Sequence, residues 1–352
     1  MVFLFAGISV SGAEKYQYTD ALSLNVFNKL LVTENPWQRL DVGKYPGMTG
    51  GEKGQAKNCT GLAVAFTTDS PVVGVRTTLV RRADGQISPA LSVRGFDLYA
   101  RVGGKWIWAG SKWTEDRIGE PQTLFLLNNA EGMKDYILYL PMVSEISSLE
   151  VVTKNGSVIR SAENPFCGRI ALFGSSFTQG AGVSRSGMAY AAQLARMTGY
   201  NFINMGFSGN SKLQPYFADA LIEADVDAYV FDGFSNPSAA QIRERLFPFI
   251  EKFQAAKPGV PLIFMKTIHR EKRFCDTKAE KSEQTRMDVA DSLMRIAVKK
   301  YDNVYWVTTT NATSPEHDTT TDGTHPNDIG YKLWAESVAK PISKILRRYG
   351  IK

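Results

Sequence analysis

The stretch Ile170-Ala171-Leu172-Phe173-Gly174-Ser175-Ser176-Phe177-Thr178-Gln179-Gly180 decides the fold. Its first four residues form an apolar run of strand length, and Gly174 to Ser176 are turn and capping residues. The serines therefore sit where a strand breaks into a turn.

Outward from this point, the C-terminal half alternates strand and helix. Candidate strands are 169–173, 201–205, 228–231, 262–267 and 304–308. Helical segments lie between them. One runs over 187–198 and ends at Gly199 as a C-cap, Ser238 caps another that reaches Ala256, and 278–300 and 328–349 carry apolar residues at helical spacing. Pro341 is expected to kink the last. Repeated strand-helix units imply a doubly wound, parallel, five-stranded sheet with helices on both faces, flavodoxin-like in class.

The N-terminal half has a different grammar. From about Tyr16 to Glu163 it shows short apolar or alternating runs separated by turn residues, such as 72–80, 96–102, 105–109, 135–141 and 149–152. An all-β sandwich, jelly-roll-like, is expected over 14–163, and the α/β/α domain over 168–352. The boundary falls near 161–168. At 352 residues, the chain is long enough for two such cores.

In a doubly wound sheet the ligand crevice lies at the carboxyl ends of the strands. The residue types suited to acyl transfer all fall there. Ser176 follows the first strand, Gly206-Phe207-Ser208-Gly209-Asn210 the second, Asp232-Gly233-Phe234-Ser235-Asn236 the third, and Asp322-Gly323-Thr324-His325-Pro326-Asn327 the fifth. A serine nucleophile needs a base and an acid that orients the base, and His325 with Asp322 three residues earlier supplies both. The oxyanion of the tetrahedral intermediate needs fixed donors. Candidates are the N–H groups of Ser176 and Gly209 and the Asn236 side-chain amide. Taken singly, Ser175 and Ser176 also read as capping residues, Gly209 as a positive-φ position and Asn236 as a turn former.

With these motifs the chain resembles the SGNH hydrolases, the GDSL esterase and lipase superfamily, over roughly 168–349. The resemblance implies a nucleophilic Ser176, oxyanion residues Gly209 and Asn236, and His325 with Asp322. Gly95-Phe96-Asp97-Leu98-Tyr99 resembles the G-x-D-L-Y signature of a β-sandwich found ahead of such hydrolases in bacterial proteins. Two positions depart from the family pattern. Ser175 stands where the first block reads G-D-S, and Pro237 follows Asn236 where the third block reads G-x-N-D.

Composition excludes other classes. The net charge is +6, but Lys and Arg are interspersed with Asp and Glu, which reads as solvated helix faces and not as a nucleic-acid stripe. Cys59, Cys167 and Cys275 lack a C-x-x-C pair, so neither a disulfide framework nor a zinc site is expected. The mechanism requires no metal or organic cofactor. The apolar stretch 2–10 followed by Ser11-Gly12-Ala13 reads as the end of a signal peptide over 1–13, and no later run reaches the length of a membrane span. An exported protein is expected.

Two further histidines, His269 and His317, are rival bases, and both read as solvated loop residues. The charged stretch 270–281 reads as a surface loop, with a lid as the alternative. Trp106, Trp108 and Trp113 read either as core or as a sugar-stacking platform, the first two sharing a face by alternation. The function expected is removal of a short acyl group, acetyl, from a carbohydrate. Alternatives are a lysophospholipase or platelet-activating-factor acetylhydrolase-like esterase, an inactive carbohydrate-binding protein, and an acyltransferase to a sugar hydroxyl.

Overall fold

The computed structural model describes residues 15–82, 87–309 and 313–352. The segment read above as a signal peptide lies outside them.

The N-terminal half is a sandwich of two antiparallel sheets. One has the lateral order Tyr16–Asp20, Ser144–Lys154, Val73–Arg82, Pro121–Leu127. The other runs Ile159–Ser161, Ala63–Thr68, Lys134–Tyr139, Gly95–Val102, Lys105–Trp113, with Asn25–Phe27 also paired to Ala63–Thr68. Val64, Phe66, Phe96, Leu98 and Leu138 fill the space between the sheets, meeting Val73, Val75, Ile146 and Val151.

Alternate residues of the second sheet point the other way. Ala63, Ala65, Tyr99, Ile137 and Tyr139 are buried in a core shared with the C-terminal half. A sheet segment covered on both faces needs apolar residues at successive positions, which is why 63–66 and 136–140 read as continuous hydrophobic runs. Full burial of a side chain the size of isoleucine is worth about 1.5–3 kcal/mol. The shared face therefore outweighs any single polar contact across it.

The C-terminal half has a five-stranded parallel sheet in the order Tyr200–Gly206, Cys167–Gly174, Ala228–Asp232, Leu262–Met265, Val304–Val307. Its strands also alternate between two cores. Ile170, Leu172 and Val230 pack with the helices Tyr190–Thr198 and Asp328–Arg348, whereas Ala171, Phe173, Tyr229 and Phe231 pack with Pro215–Ile222, Ala239–Ala256 and Thr277–Lys300. Ser238 caps its helix with a full capping box, and Gly199 ends another in the left-handed region. The last helix continues through Pro341.

Three local features differ from expectation. The helix expected from 187 begins at Tyr190, because Ser186–Met188 forms a 3-10 turn in which Gly187 is held by a sandwich residue. The helices Gly50–Ala56 and Pro215–Ile222 carried too short a periodic signal to stand out. Residues 30–56 also leave the sandwich: Leu30, Leu40, Tyr45, Met48 and Ala56 join the core around Phe207 and Phe217.

Candidate active site

The first strand of the parallel sheet is flanked by the second and third, so the strand order reverses direction beside it. At such a switch point the loops diverge and leave a crevice. Gly174 pairs in register with Gly206 on one side and Asp232 on the other, so the loops that follow all three strands meet there.

Ser176 opens the short helix Ser176–Gln179, and Ser175 caps it by accepting the Phe177 N–H at 3.1 Å. The structure brings Ser176, His325 and Asp322 into one hydrogen-bonded chain. His325 Nε2 lies 3.0 Å from Ser176 Oγ, and His325 Nδ1 lies 2.9 Å from Asp322 Oδ2. An ionised carboxylate only accepts, so Nδ1 carries the proton and Nε2 is left as the acceptor for the serine hydroxyl. Partial burial acts to raise the Asp322 carboxyl, but the N–H groups of His325 and Thr324 and the imidazole outweigh it and hold the carboxyl below the usual range. Asp322 thus stays ionised. Phe177 packs edge-on against the imidazole at 5.6 Å and against Trp334 at 5.7 Å, which fixes the ring plane from below.

The loop carrying Asp322 and His325 is braced by the segment after the fourth strand. Glu271 accepts the N–H groups and hydroxyls of both Thr319 and Thr320, and the Lys272 N–H reaches Gly323 O at 2.8 Å. Within the stretch expected as a surface loop or lid, Glu271 and Arg273 are buried, Glu271 bracing the neighbouring loop, whereas 272 and 274–278 are exposed as a surface segment is. His269 and His317 do not approach Ser176 through any hydrogen bond among the described residues. His317 instead lies 5.0 Å from the Phe274 ring.

The candidate oxyanion residues lie on the neighbouring loops. Gly209 has φ +72°, which lets the loop after the second strand turn back without strain. Asn236 Oδ1 accepts the Ser211 N–H at 3.3 Å, tying the two loops together and leaving Nδ2 as a donor. The Ser176 and Gly209 N–H groups and Asn236 Nδ2 donate to no acceptor among the described residues.

Sequence reasoning did not single out Arg39 or Gln55. The buried Arg39 guanidinium donates to Gly206 O at 2.8 Å and Gln55 O at 2.8 Å, and stacks over Phe207. Gln55 Nε2 donates to Ser208 O at 2.9 Å. The loop that carries Gly209 is thereby held by residues from the N-terminal half. Neither residue has a local signal, because both act across more than 150 positions of sequence.

A cleft of about 440 Å³ opens beside His325 and Asp322. Gln179, Gly180, Ala181 and Ser208 of the C-terminal half line it together with Gln55, Asn58, Ser92, Met142 and Val143 of the N-terminal half. The N-terminal half is thus a wall of the site. Of the three tryptophans, Trp106 packs on the shared core with Arg101 over its face, whereas Trp108 and Trp113 are exposed, Trp108 donating to Asp97 Oδ1 at 3.1 Å with Arg185 over its ring. No group of three metal-ligating side chains occurs among the described residues, and no helix there is long and apolar enough to cross a membrane.

Residues 168–343 match the GDSL-like Lipase/Acylhydrolase family, and residues 16–159 match the G-x-D-L-Y family, the N-terminus of SGNH hydrolase-type esterases. A candidate GDSL-like lipase from Bacteroides ovatus is 34% identical in sequence, with a TM-score of 0.90 over 96% of this chain and 99% of that one. A salicylyl-acyltransferase from a tetracycline biosynthetic pathway shares 19% identity and a TM-score of 0.69, over 95% and 96% of the two chains. A family two carbohydrate esterase from Clostridium thermocellum, solved with cellohexaose, shares 14% identity and a TM-score of 0.56, over 82% and 93%. The last two are similar in fold. No curated protein matches the chain.

Proposed function

The chain belongs to the GDSL-like lipase/acylhydrolase family and is a carboxylic ester hydrolase, and on that premise we propose that it removes acetyl from a carbohydrate through an acyl-enzyme on Ser176. The observation that carries this reading is the chain of hydrogen bonds from Asp322 through His325 to Ser176.

In the proposed reaction Ser176 Oγ attacks the ester carbonyl carbon while His325 Nε2 takes the hydroxyl proton. Asp322 holds the imidazole in the required tautomer and stabilises the imidazolium. The tetrahedral oxyanion is met by the N–H groups of Ser176 and Gly209 and by Asn236 Nδ2, each such donor being worth about 3 kcal/mol in the transition state. Collapse of the intermediate breaks the carbonyl-to-alkoxy bond, and His325 returns the proton to the leaving alcohol. Water, deprotonated by His325, then attacks the acyl carbon, the bond to Ser176 Oγ breaks as His325 returns the proton to it, and acetate leaves.

The carbohydrate part of the reading is supported by the cleft. Its lining combines Gln55, Asn58 and Ser92 with Met142 and Val143, a mixed lining suited to a polyhydroxy alcohol more than to a long alkyl chain. Export, expected from the N-terminal apolar stretch, belongs to the same proposal. The test is acetate release from acetylated xylo- and cello-oligosaccharides, compared with butyrate and octanoate esters of p-nitrophenol and with fatty-acid release from a lysophospholipid. Higher kcat/KM on the acetylated sugars supports it; preference for octanoate or for a lysophospholipid overturns the carbohydrate assignment.

A further inference from the structure

Ser175 stands where the resembled family carries an aspartate, yet the structure does not leave that place without a carboxylate. Asp232, at the end of the third strand, lies in register with Gly174 and is fully buried. Its Oδ2 accepts Ser175 Oγ at 2.9 Å, the Ser175 N–H at 3.4 Å and Thr178 Oγ1 at 3.1 Å. We propose that Asp232 is a positioning residue for the reaction: it supplies, from the adjacent strand, the carboxylate missing from the first motif, and fixes through Ser175 the turn that presents Ser176.

The geometry gives this contact a direction. A hydroxyl has one proton to donate. With the Ser175 proton committed to Asp232, its lone pairs face the Phe177 N–H, the cap that starts the helix at Ser176. The Thr178 proton goes to the same oxygen, so the Tyr190 hydroxyl 3.0 Å away must donate to Thr178. A single buried oxygen therefore sets the donor order of three hydroxyls around the turn. The Ser176 N–H is left free for the oxyanion.

Two features of the chain fit this arrangement. A side chain at Gly174 would place its Cβ 2.1 Å from Thr178 Oγ1 and 2.9 Å from Asp232 Oδ2, so the close approach of the carboxylate requires glycine there. Asp232 Oδ1 is buried with no partner among the described residues, a cost that packing alone would not retain. Burial lifts this carboxyl to about 6, against the pull of the Ser175 and Thr178 donors, so it is charged at neutral pH.

This inference rests on Ser176 being the nucleophile. The test measures the rate of fluorophosphonate labelling of Ser176 and the kcat and KM for p-nitrophenyl acetate in the wild type, Asp232→Asn, Asp232→Ser and the exchange variant Ser175→Asp with Asp232→Ser. Thermal unfolding is followed in parallel. Asn keeps the shape but can donate to Ser175 and reverse the hydroxyl order, so labelling and kcat should fall on the order of 10- to 100-fold with KM little changed. The exchange variant, which moves the carboxylate onto the motif strand, should recover most of the rate lost in Asp232→Ser. Wild-type labelling with an equally fast Asp232→Asn overturns the inference, as does an exchange variant that folds but is no faster than Asp232→Ser. Absence of labelling in the wild type overturns the serine-hydrolase reading itself, and this inference with it.

Discussion

The Asp97 carboxylate of the sandwich accepts the Gly187 backbone N–H of the α/β half at 2.8 Å. Asp97 is the acidic residue of Gly95-Phe96-Asp97-Leu98-Tyr99, is 1% exposed, and is also reached by Arg185 Nε at 3.4 Å. One carboxylate thus pins the turn that precedes the helix Tyr190–Thr198, whose far side packs on Asp328–Arg348, the helix that follows the His325 loop.

Asp97→Ala strands a buried N–H and the Arg185 guanidinium together. Removing one partner of a buried charged pair typically costs about 3–5 kcal/mol, and a stranded N–H about 1–3. Because Arg185 keeps some exposure, the expected loss is about 2–4 kcal/mol of unfolding free energy, read from urea midpoints. A loss below about 0.5 kcal/mol would show that the apolar shared face alone holds the halves together.

Stability should also carry a signature in pH. Burial lifts the carboxyls of Asp97 and Asp232 from the ordinary 3.8 to about 6. Between these values the folded chain keeps protons that the unfolded chain has released. Their contribution is therefore fully present below about pH 4 and is lost as pH rises through about 6. The slope of unfolding free energy against pH across this window should be more positive in Asp97→Asn than in the wild type; equal slopes would contradict the assignment.

Asn236→Asp keeps the size of the side chain and its contact with the Ser211 N–H but replaces a donor with an acceptor. If Nδ2 meets the oxyanion, kcat for p-nitrophenyl acetate falls about 100- to 1000-fold with KM nearly unchanged. A rise in KM alone would place Asn236 among substrate-binding groups instead.

Much of this was legible in the chain because it depends on local pattern. The strand-turn at Phe173 to Ser176 and the Asp322 to His325 loop each carry their geometry within a few residues, and the strand-helix alternation fixed which ends of the strands they occupy. Asp232 was visible only as the start of a loop. Its partnership with Ser175 arises from parallel pairing across 57 positions, which no local period encodes. Arg39 and Gln55 were invisible for the same reason. The brace at Glu271 has no local signal either, because its four donors come from Thr319 and Thr320, 48 and 49 positions away.

The wall of the cleft contributed by the sandwich half can be tested with one enlarged side chain. Val143 is partly buried and lines the cleft. Val143→Trp should raise KM for an acetylated oligosaccharide by about tenfold or more while leaving p-nitrophenyl acetate turnover within about twofold. Equal effects on both substrates would mean that the change disturbs the reacting groups and not the alcohol subsite.

In the proposed mechanism Ser176 carries the acyl group. Rapid acid quench during p-nitrophenyl acetate turnover, followed by peptide mass analysis, tests it directly. Acetylation is expected only on the peptide containing Ser176, lost in Ser176→Ala and strongly slowed in His325→Ala. Turnover without any acetyl-enzyme, persisting in Ser176→Ala, would contradict it.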